Sequence, residues 1–320
     1  MRLLSVVRTA TCAVALATLP AAAAAQPTSF VFFGDSFVDA GNANVIATSQ
    51  GGTFPYPSGR FSNGPVFSEY LANAFGYTDD GRASLLGGQN YAIGGATTGT
   101  GNVVFGTGFG LLSQVGTYAG TNPVPGAGQT AVLFAGGNDF INTGAPNPAQ
   151  MVANMTSAAA TLHGLGISQF VIPTLPDLSL TPRGLALDAA TRTALSFGIS
   201  QYNAGLLTAF GQFAQVTGAH VVGFRLDNLF LDILNNPAAY GFTDTTRPCI
   251  PVPGYAVAPS CEASVFFDDL HPTTTAHAVV GQAAAQALQS TVPEPATVVL
   301  VGAGLVVMGA AAARRRRLAA

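Results

Sequence analysis

Phe30-Val31-Phe32-Phe33-Gly34-Asp35-Ser36-Phe37-Val38-Asp39-Ala40-Gly41-Asn42 is the stretch on which the fold of this 320-residue chain turns. Its first four residues are apolar and aromatic with no alternation, the pattern of a strand buried on both faces. Gly34 ends the run where the backbone must turn sharply. Asp35 and Ser36 follow, at the place where the free N–H groups of a helix N-terminus point outward. A hydroxyl there lies beside donors that can stabilise a developing oxyanion. Taken alone, the same two residues could simply cap a helix. What lies downstream decides between the two readings.

Three more apolar runs read as buried strands, at residues 131–135, 169–173 and 220–224, and a shorter one at 90–93. Helical periodicity fills the spaces between them, starting after Pro65 and again near 111–118, 149–162, 186–213, 229–234 and 273–288. The first strand is followed by a long Gly/Pro/Asn-rich excursion, and residues 99–128 are rich in loop-formers. Strands alternating with helices predict an α/β fold with a parallel central sheet. In such sheets the site lies beyond the carboxyl ends of the strands. Gly34-Asp35-Ser36, Gly94-Gly95 and Gly136-Gly137-Asn138-Asp139 all sit at strand ends, so the three are expected to converge.

The two ends of the chain read as processing signals. Residues 1–25 carry Arg2 and Arg8, an apolar core and a small-residue run, which is the pattern of a secretory signal peptide. Residues 296–313 hold no charge and are followed by four arginines, the pattern of a membrane-spanning helix with a cytoplasmic stop. Between these ends, residues 26–290 are long enough for one domain with a sizeable core. That domain carries six arginines, no lysine and fourteen acids, a formal charge of −8, which excludes nucleic-acid binding through a basic surface. Cys249 and Cys261 are an even pair in an exported chain and predict a disulfide, and no further ligands accompany them to make a zinc site.

Acyl transfer by serine needs a nucleophile, a histidine base, a group that orients the base, and oxyanion donors. Ser36 supplies the first. Asp268-Asp269-Leu270-His271-Pro272-Thr273 supplies the next two. Asp268 precedes His271 by three residues, so one tight turn brings its carboxylate to the imidazole Nδ1, leaving Nε2 for Ser36; Asp269 is the rival orienting group. The N–H groups of Ser36 and Gly95 and the side-chain amide of Asn138 are the candidate oxyanion donors. His163 and His220 have no acidic neighbour in sequence and read as structural. His277 reads as a surface or supporting histidine. Arg60 could meet a substrate carbonyl or phosphate, or form a loop salt bridge.

With these residues in place, the chain resembles the SGNH, or GDSL-type, serine hydrolases from residue 30 to about 288. Gly34-Asp35-Ser36, Gly95, Gly136-Gly137-Asn138-Asp139 and Asp268-Asp269-Leu270-His271 stand in the family's order. Gly59-Arg60-Phe61-Ser62-Asn63-Gly64-Pro65 and Asn90-Tyr91-Ala92-Ile93-Gly94-Gly95-Ala96-Thr97 are similar to the secreted bacterial branch of lecithinase- and haemolysin-like esterases. The resemblance implies a flavodoxin-like three-layer α/β/α fold and no cofactor or metal. It implies Ser36, Asp268 and His271 as catalytic residues and Ser36, Gly95 and Asn138 as the oxyanion hole. Phe37 stands where the family often has leucine, and Val38 breaks the Gly-x-Ser-x-Gly elbow of ordinary α/β-hydrolases. Pro293-Glu294-Pro295, the apolar span and Arg314-Arg315-Arg316-Arg317 resemble a PEP-CTERM sorting segment over residues 291–320. That implies signal peptidase and an exosortase as processing partners, transient membrane association, and a final place in the cell envelope or outside it. The expected substrate is an ester, either a lipid or an acylated polysaccharide. The readings to separate are an esterase or lipase, a polysaccharide O-acetyl esterase, and a non-catalytic surface protein that keeps the fold.

Overall fold

The computed structural model describes residues 26–291, apart from 57, 122–124, 126, 127 and 143–145. The 1–25 leader and the apolar span 296–313 lie outside the described residues. Among those described, no helix is long and apolar enough to cross a membrane.

The sheet begins with β1 (Ser29–Gly34), whose last five residues are all buried. A short antiparallel pair follows, β2 (Gly101–Asn102) and β3 (Gly106–Thr107), apart from the main sheet. Then come β4 (Gln129–Phe134), β5 (Gln169–Pro173) and β6 (His220–Phe224). The four long strands pair in the order β1-β4-β5-β6, all parallel. β1 and β4 run level from Ser29 opposite Gln129 to Gly34 opposite Phe134. Asp35-Ser36 and Gly136–Asp139 therefore leave the sheet at neighbouring places on the same edge.

Side-chain alternation along β1 shows both faces covered. Phe30 packs at 5.4 Å on Phe75, and Phe33 packs edge-on at 5.5 Å against Tyr118. The helices are α1 (Asn42–Ser49), α2 (Phe67–Ala74), α3 (Leu111–Thr121), α4 (Gly137–Asn142), α5 (Pro148–Gly164), α6 (Pro182–Leu185), α7 (Ala189–Thr217), α8 (Leu226–Asn235) and α9 (Thr274–Ser290). α2 packs on α9, while α3, α5 and α7 pack in a row, which gives a helical layer on each face of the sheet. α2 and α9 approach closely because Gly281 has no Cβ; one there would lie 2.5 Å from Cβ of Tyr70. α7 runs 29 residues because Asp188 accepts from the N–H groups of Ala190 and Thr191 at its start, and Gly218 ends it in the left-handed region at φ 74°.

Two expectations from the sequence need correction. Residues 90–93 are not a strand. The segment does hydrogen-bond along β1, through Tyr91 N–H to the Phe32 carbonyl (2.8 Å) and Ile93 N–H to the Gly34 carbonyl (3.0 Å). Asn90 Oδ1, however, accepts from Ala92 N–H at 3.0 Å, a turn that bends the chain and interrupts the ladder. The helix start expected at Asp35-Ser36 also comes later: those residues form a turn, and α1 begins at Asn42. That helix forms because Asp39 Oδ1 accepts from the N–H groups of Gly41 and Asn42, and Oδ2 accepts from Ala43 N–H. The helix expected over residues 186–213 is α7, which starts three residues later, with the short α6 just ahead of it.

Candidate active site

Gly34 allows β1 and β4 to stay level at their ends. A Cβ there would stand 2.1 Å from the Phe134 carbonyl oxygen. The Gln114 side chain clasps the same residue, donating to the Gly34 carbonyl and accepting from its N–H, both at 2.8 Å. Past Gly34, the Asp35 carbonyl accepts from the N–H groups of Val38 and Asp39, both at 3.0 Å. In a trans peptide the carbonyl and the next N–H point opposite ways, so the Ser36 N–H is turned away from that tight turn. Among the described residues no protein acceptor takes it. Burial pushes the Asp35 carboxyl up to about 7, against the hydrogen bond from Phe37 N–H.

The histidine is positioned by the turn just ahead of α9. Asp268 Oδ1 accepts from the N–H groups of Leu270 (2.8 Å) and His271 (2.6 Å), which folds 268–271 back on itself. Asp268 Oδ2 then lies 2.7 Å from His271 Nδ1, and His271 Nε2 lies 2.9 Å from Ser36 Oγ. Thr273 caps α9 immediately downstream. Burial pushes the Asp268 carboxyl up, but the charge and hydrogen bonds of His271, with help from Tyr56, outweigh it and hold the group well below the usual carboxylate range. The rival Asp269 is engaged elsewhere, in a two-pronged ion pair with Arg183 at 2.9 and 2.8 Å.

Gly95 and Asn138 arrive from two other loops. Gly94 N–H donates to Asp39 Oδ2 (2.8 Å), and the Gly94 carbonyl accepts from Asn102 Nδ2 (2.9 Å). Holding that carbonyl turns the Gly95 N–H the opposite way, and among the described residues it too has no protein acceptor. Gly95 has φ 86°, and a Cβ there would be 2.6 Å from Asn102 Oδ1. Asn138 Nδ2 donates to the Ala96 carbonyl at 3.1 Å, while its Oδ1 accepts from Asn142 Nδ2 at 3.1 Å. A carbonyl can only accept, so this pair of bonds fixes which way the amide faces and leaves one of its N–H groups over. Asp139 ties the same turn down through Thr98, accepting from its N–H (2.9 Å) and its hydroxyl (2.8 Å).

Tyr56, Gln114 and Asn102 were not singled out from the sequence. Tyr56 Oη donates to Asp268 Oδ2 at 2.6 Å, from a segment 212 residues upstream. Its ring packs with Phe61 and Phe267, and Phe61 in turn lies 5.1 Å from the His271 ring. The stretch 59–65 straps this cover to the histidine turn: Ser62 Oγ donates to the Pro272 carbonyl (2.9 Å) and Asn63 Oδ1 accepts from Thr274 N–H (2.8 Å). Arg60 forms the salt bridge of the two options, with both oxygens of Glu69 (2.7 and 2.6 Å). His277 is no surface residue; it is fully buried. Burial, then the charge of His271, pushes it down to about 3, and its Nδ1 accepts from Phe67 N–H at 3.2 Å. Cys249 and Cys261 are joined in a disulfide with Cα atoms 4.9 Å apart.

The fold is a parallel α/β sandwich, and at its strand ends a serine, a histidine and an aspartate stand in file beside outward-facing N–H groups. The chain belongs to the GDSL-like lipase/acylhydrolase family, whose profile matches residues 30–284. A PEP-CTERM protein-sorting motif matches residues 291–317. A GDSL esterase/lipase of Arabidopsis thaliana is 30% identical over 316 residues, covering 81% of this chain and 84% of its own. The thermolabile hemolysin of Vibrio parahaemolyticus is 30% identical over 284 residues, covering 81% of this chain and 64% of its own. Among solved structures, a member of the lipolytic G-D-S-L family from Veillonella parvula aligns with a TM-score of 0.42 at 13% identity, covering 82% of this chain and 96% of that one.

Proposed function

We propose that the chain is an exported serine esterase that hydrolyses carboxylic esters through an acyl-enzyme on Ser36. The observation that carries the reading is the file from Ser36 Oγ through His271 (2.9 Å at Nε2, 2.7 Å at Nδ1) to Asp268. Asp268 keeps the imidazole proton on Nδ1, so Nε2 is the basic nitrogen. Ser36 Oγ attacks the ester carbonyl as its proton passes to Nε2, and the carbonyl oxygen becomes an oxyanion. The Ser36 N–H, the Gly95 N–H and the spare Asn138 N–H receive it. The C–O bond to the alcohol breaks, and the alcohol leaves with the proton from Nε2. Water then repeats the sequence on the acyl-enzyme, delivering the acid and restoring the serine.

The sorting motif at 291–317 supports export to the cell envelope. Cleavage by signal peptidase near residue 25, transient anchoring by the apolar span and recognition by an exosortase belong to the same proposal.

The test is hydrolysis of p-nitrophenyl butyrate and labelling by a fluorophosphonate, each beside Ser36→Ala. Turnover and label are both expected to vanish in the variant. Asn138→Ala is expected to lower kcat by about 10²–10³; a variant at full rate would remove Asn138 from the oxyanion hole. A folded wild type that neither turns over nor labels would sink the serine mechanism.

A further inference from the structure

Beside Ser36 Oγ lies a small recess, lined by Asn138, Ile141, Leu178 and Leu270 among others. Three of those residues, Ile141, Leu178 and Leu270, also line a much larger groove of about 1050 Å³. Its volume is at the upper end of the roughly 300–1,000 Å³ usual for small-molecule sites. α7 forms one wall with Thr191, Leu195, Gly198 and Gly205, residues that recur on one side of the helix. α5 forms the facing wall with Val152. Small residues let α7 close on the neighbouring walls of the groove: a Cβ on Gly198 would stand 2.8 Å from the Phe140 ring, and one on Gly205 would stand 3.2 Å from Val152. Leu187 and Phe197 line it and are themselves exposed, Phe197 at 64%. Exposed large apolar side chains grouped around a cleft mark a surface meant to be covered.

The geometry points to this groove as the binding site for the acyl chain of the substrate, and so to esters of medium- and long-chain fatty acids in place of acetyl esters. The inference rests on the serine esterase reading and adds the substrate class to it. Three observations select the acyl chain as occupant. The groove shares its inner residues with the recess at the serine. Phe140 and Ile141, two and three residues past the oxyanion donor Asn138, line it, so it starts beside the place where the ester carbonyl must sit. Its lining offers a fatty chain apolar contact: the polar side chains are few, and Arg183 is already paired with Asp269. Thr191 to Gly205 spans about 21 Å of helix. An extended chain advances roughly 1.2 Å per bond, so half that length takes an eight-carbon acyl group. An acetyl group would leave the whole groove unfilled.

The experiment measures kcat/KM for p-nitrophenyl acetate, butyrate, octanoate and dodecanoate with the purified full chain, beside Ala194→Trp and Leu187→Asp. Ala194 lines the groove at an exposed position of α7, where a tryptophan fills space without displacing a buried side chain. Each fully buried methylene is worth about fourfold, so butyrate to octanoate should gain between about 10- and 200-fold, the lower figure allowing for the open side. The octanoate-to-acetate ratio should fall at least about tenfold in Ala194→Trp. Leu187→Asp, at the rim, should lower the same ratio and is the control should the first variant not fold. Acetate turned over with no gain from longer chains would overturn the groove assignment while leaving Ser36 in its role. So would a gain that follows the alcohol chain in alkyl acetates and not the acyl chain. Loss of every activity, together with loss of the fluorophosphonate label, would instead overturn the serine reading beneath it.

Discussion

Tyr56→Phe removes one oxygen and nothing else from the support of Asp268. Both carboxylate oxygens are fully used in the wild type. Oδ1 takes two backbone N–H groups, and Oδ2 takes the Tyr56 hydroxyl at 2.6 Å and the His271 Nδ1–H at 2.7 Å. Burial, then the Asp268 charge, pushes the Tyr56 hydroxyl above its usual range, so it stays a donor throughout the working pH range. A hydrogen bond to a charged group is worth about 1.5–3 kcal/mol, and this one shares its acceptor atom with the histidine. Without it, more of the carboxylate charge falls on Nδ1–H, and the imidazolium is favoured over the neutral base. One pH unit corresponds to about 1.36 kcal/mol. If half the bond's value passes to the histidine, the acid limb of the pH–rate profile moves to higher pH by about 0.5–1 unit. The phenyl ring keeps its packing against Phe54, Phe61 and Phe267, so the plateau kcat should stay within about threefold. The assay is kcat/KM for p-nitrophenyl butyrate from pH 4.5 to 9 on both proteins. An acid limb that stays put, or moves to lower pH, would refute the argument that Tyr56 competes for Oδ2; a purely structural role would lower the plateau and leave the limb in place.

Two further expectations concern stability. The Asp35 carboxyl is raised from 3.8 to about 7 by burial, so the folded state holds its proton more tightly than the unfolded one. Its contribution is fully present below about pH 3.8 and is lost as pH rises towards 7, an effect of roughly 2–3 kcal/mol between pH 5 and pH 8. Asp35→Asn should shrink the difference in Tm between those two pH values, and an unchanged difference on thermal melting would contradict it. Removing the disulfide with Cys249→Ser and Cys261→Ser together frees a loop of sequence separation 12 and should cost about 3 kcal/mol. Urea titration reads that loss, while esterase activity at 25 °C should hold within about twofold because Asp268 is fixed by its own turn; inactivation of the folded double variant would show that the loop positions the catalytic residues directly.

The residues legible in the sequence are those whose own chemistry or own burial announces them. β1, β4 and β5 show as apolar runs because each is covered on both faces; β6, at the edge of the sheet, shows by its short run of Val221 and Val222 and is only partly buried. Ser36, Asn138, Asp268 and His271 show because few other residue types could take their place and because each follows a turn. The start of α1 was placed too early because it depends on Asp39, a carboxylate whose four N–H partners include Gly94, 55 residues away. Residues 90–93 misled for the same reason: β propensity is right, but Asn90 bends the chain with its own side chain. Gln114, Asn102 and Tyr56 are ordinary residue types, and each acquires a role only through a contact across 80, 8 and 212 residues respectively. Each of the three acts on a group that the sequence did reveal. Gln114 holds the end of the strand that carries Ser36, Asn102 turns the Gly95 N–H outward, and Tyr56 shares the carboxylate of Asp268. Reading the reactive groups therefore located the candidate site. Its tuning lies in neutral hydrogen-bonding side chains, whose replacement is expected to shift pH dependence and geometry long before it abolishes chemistry.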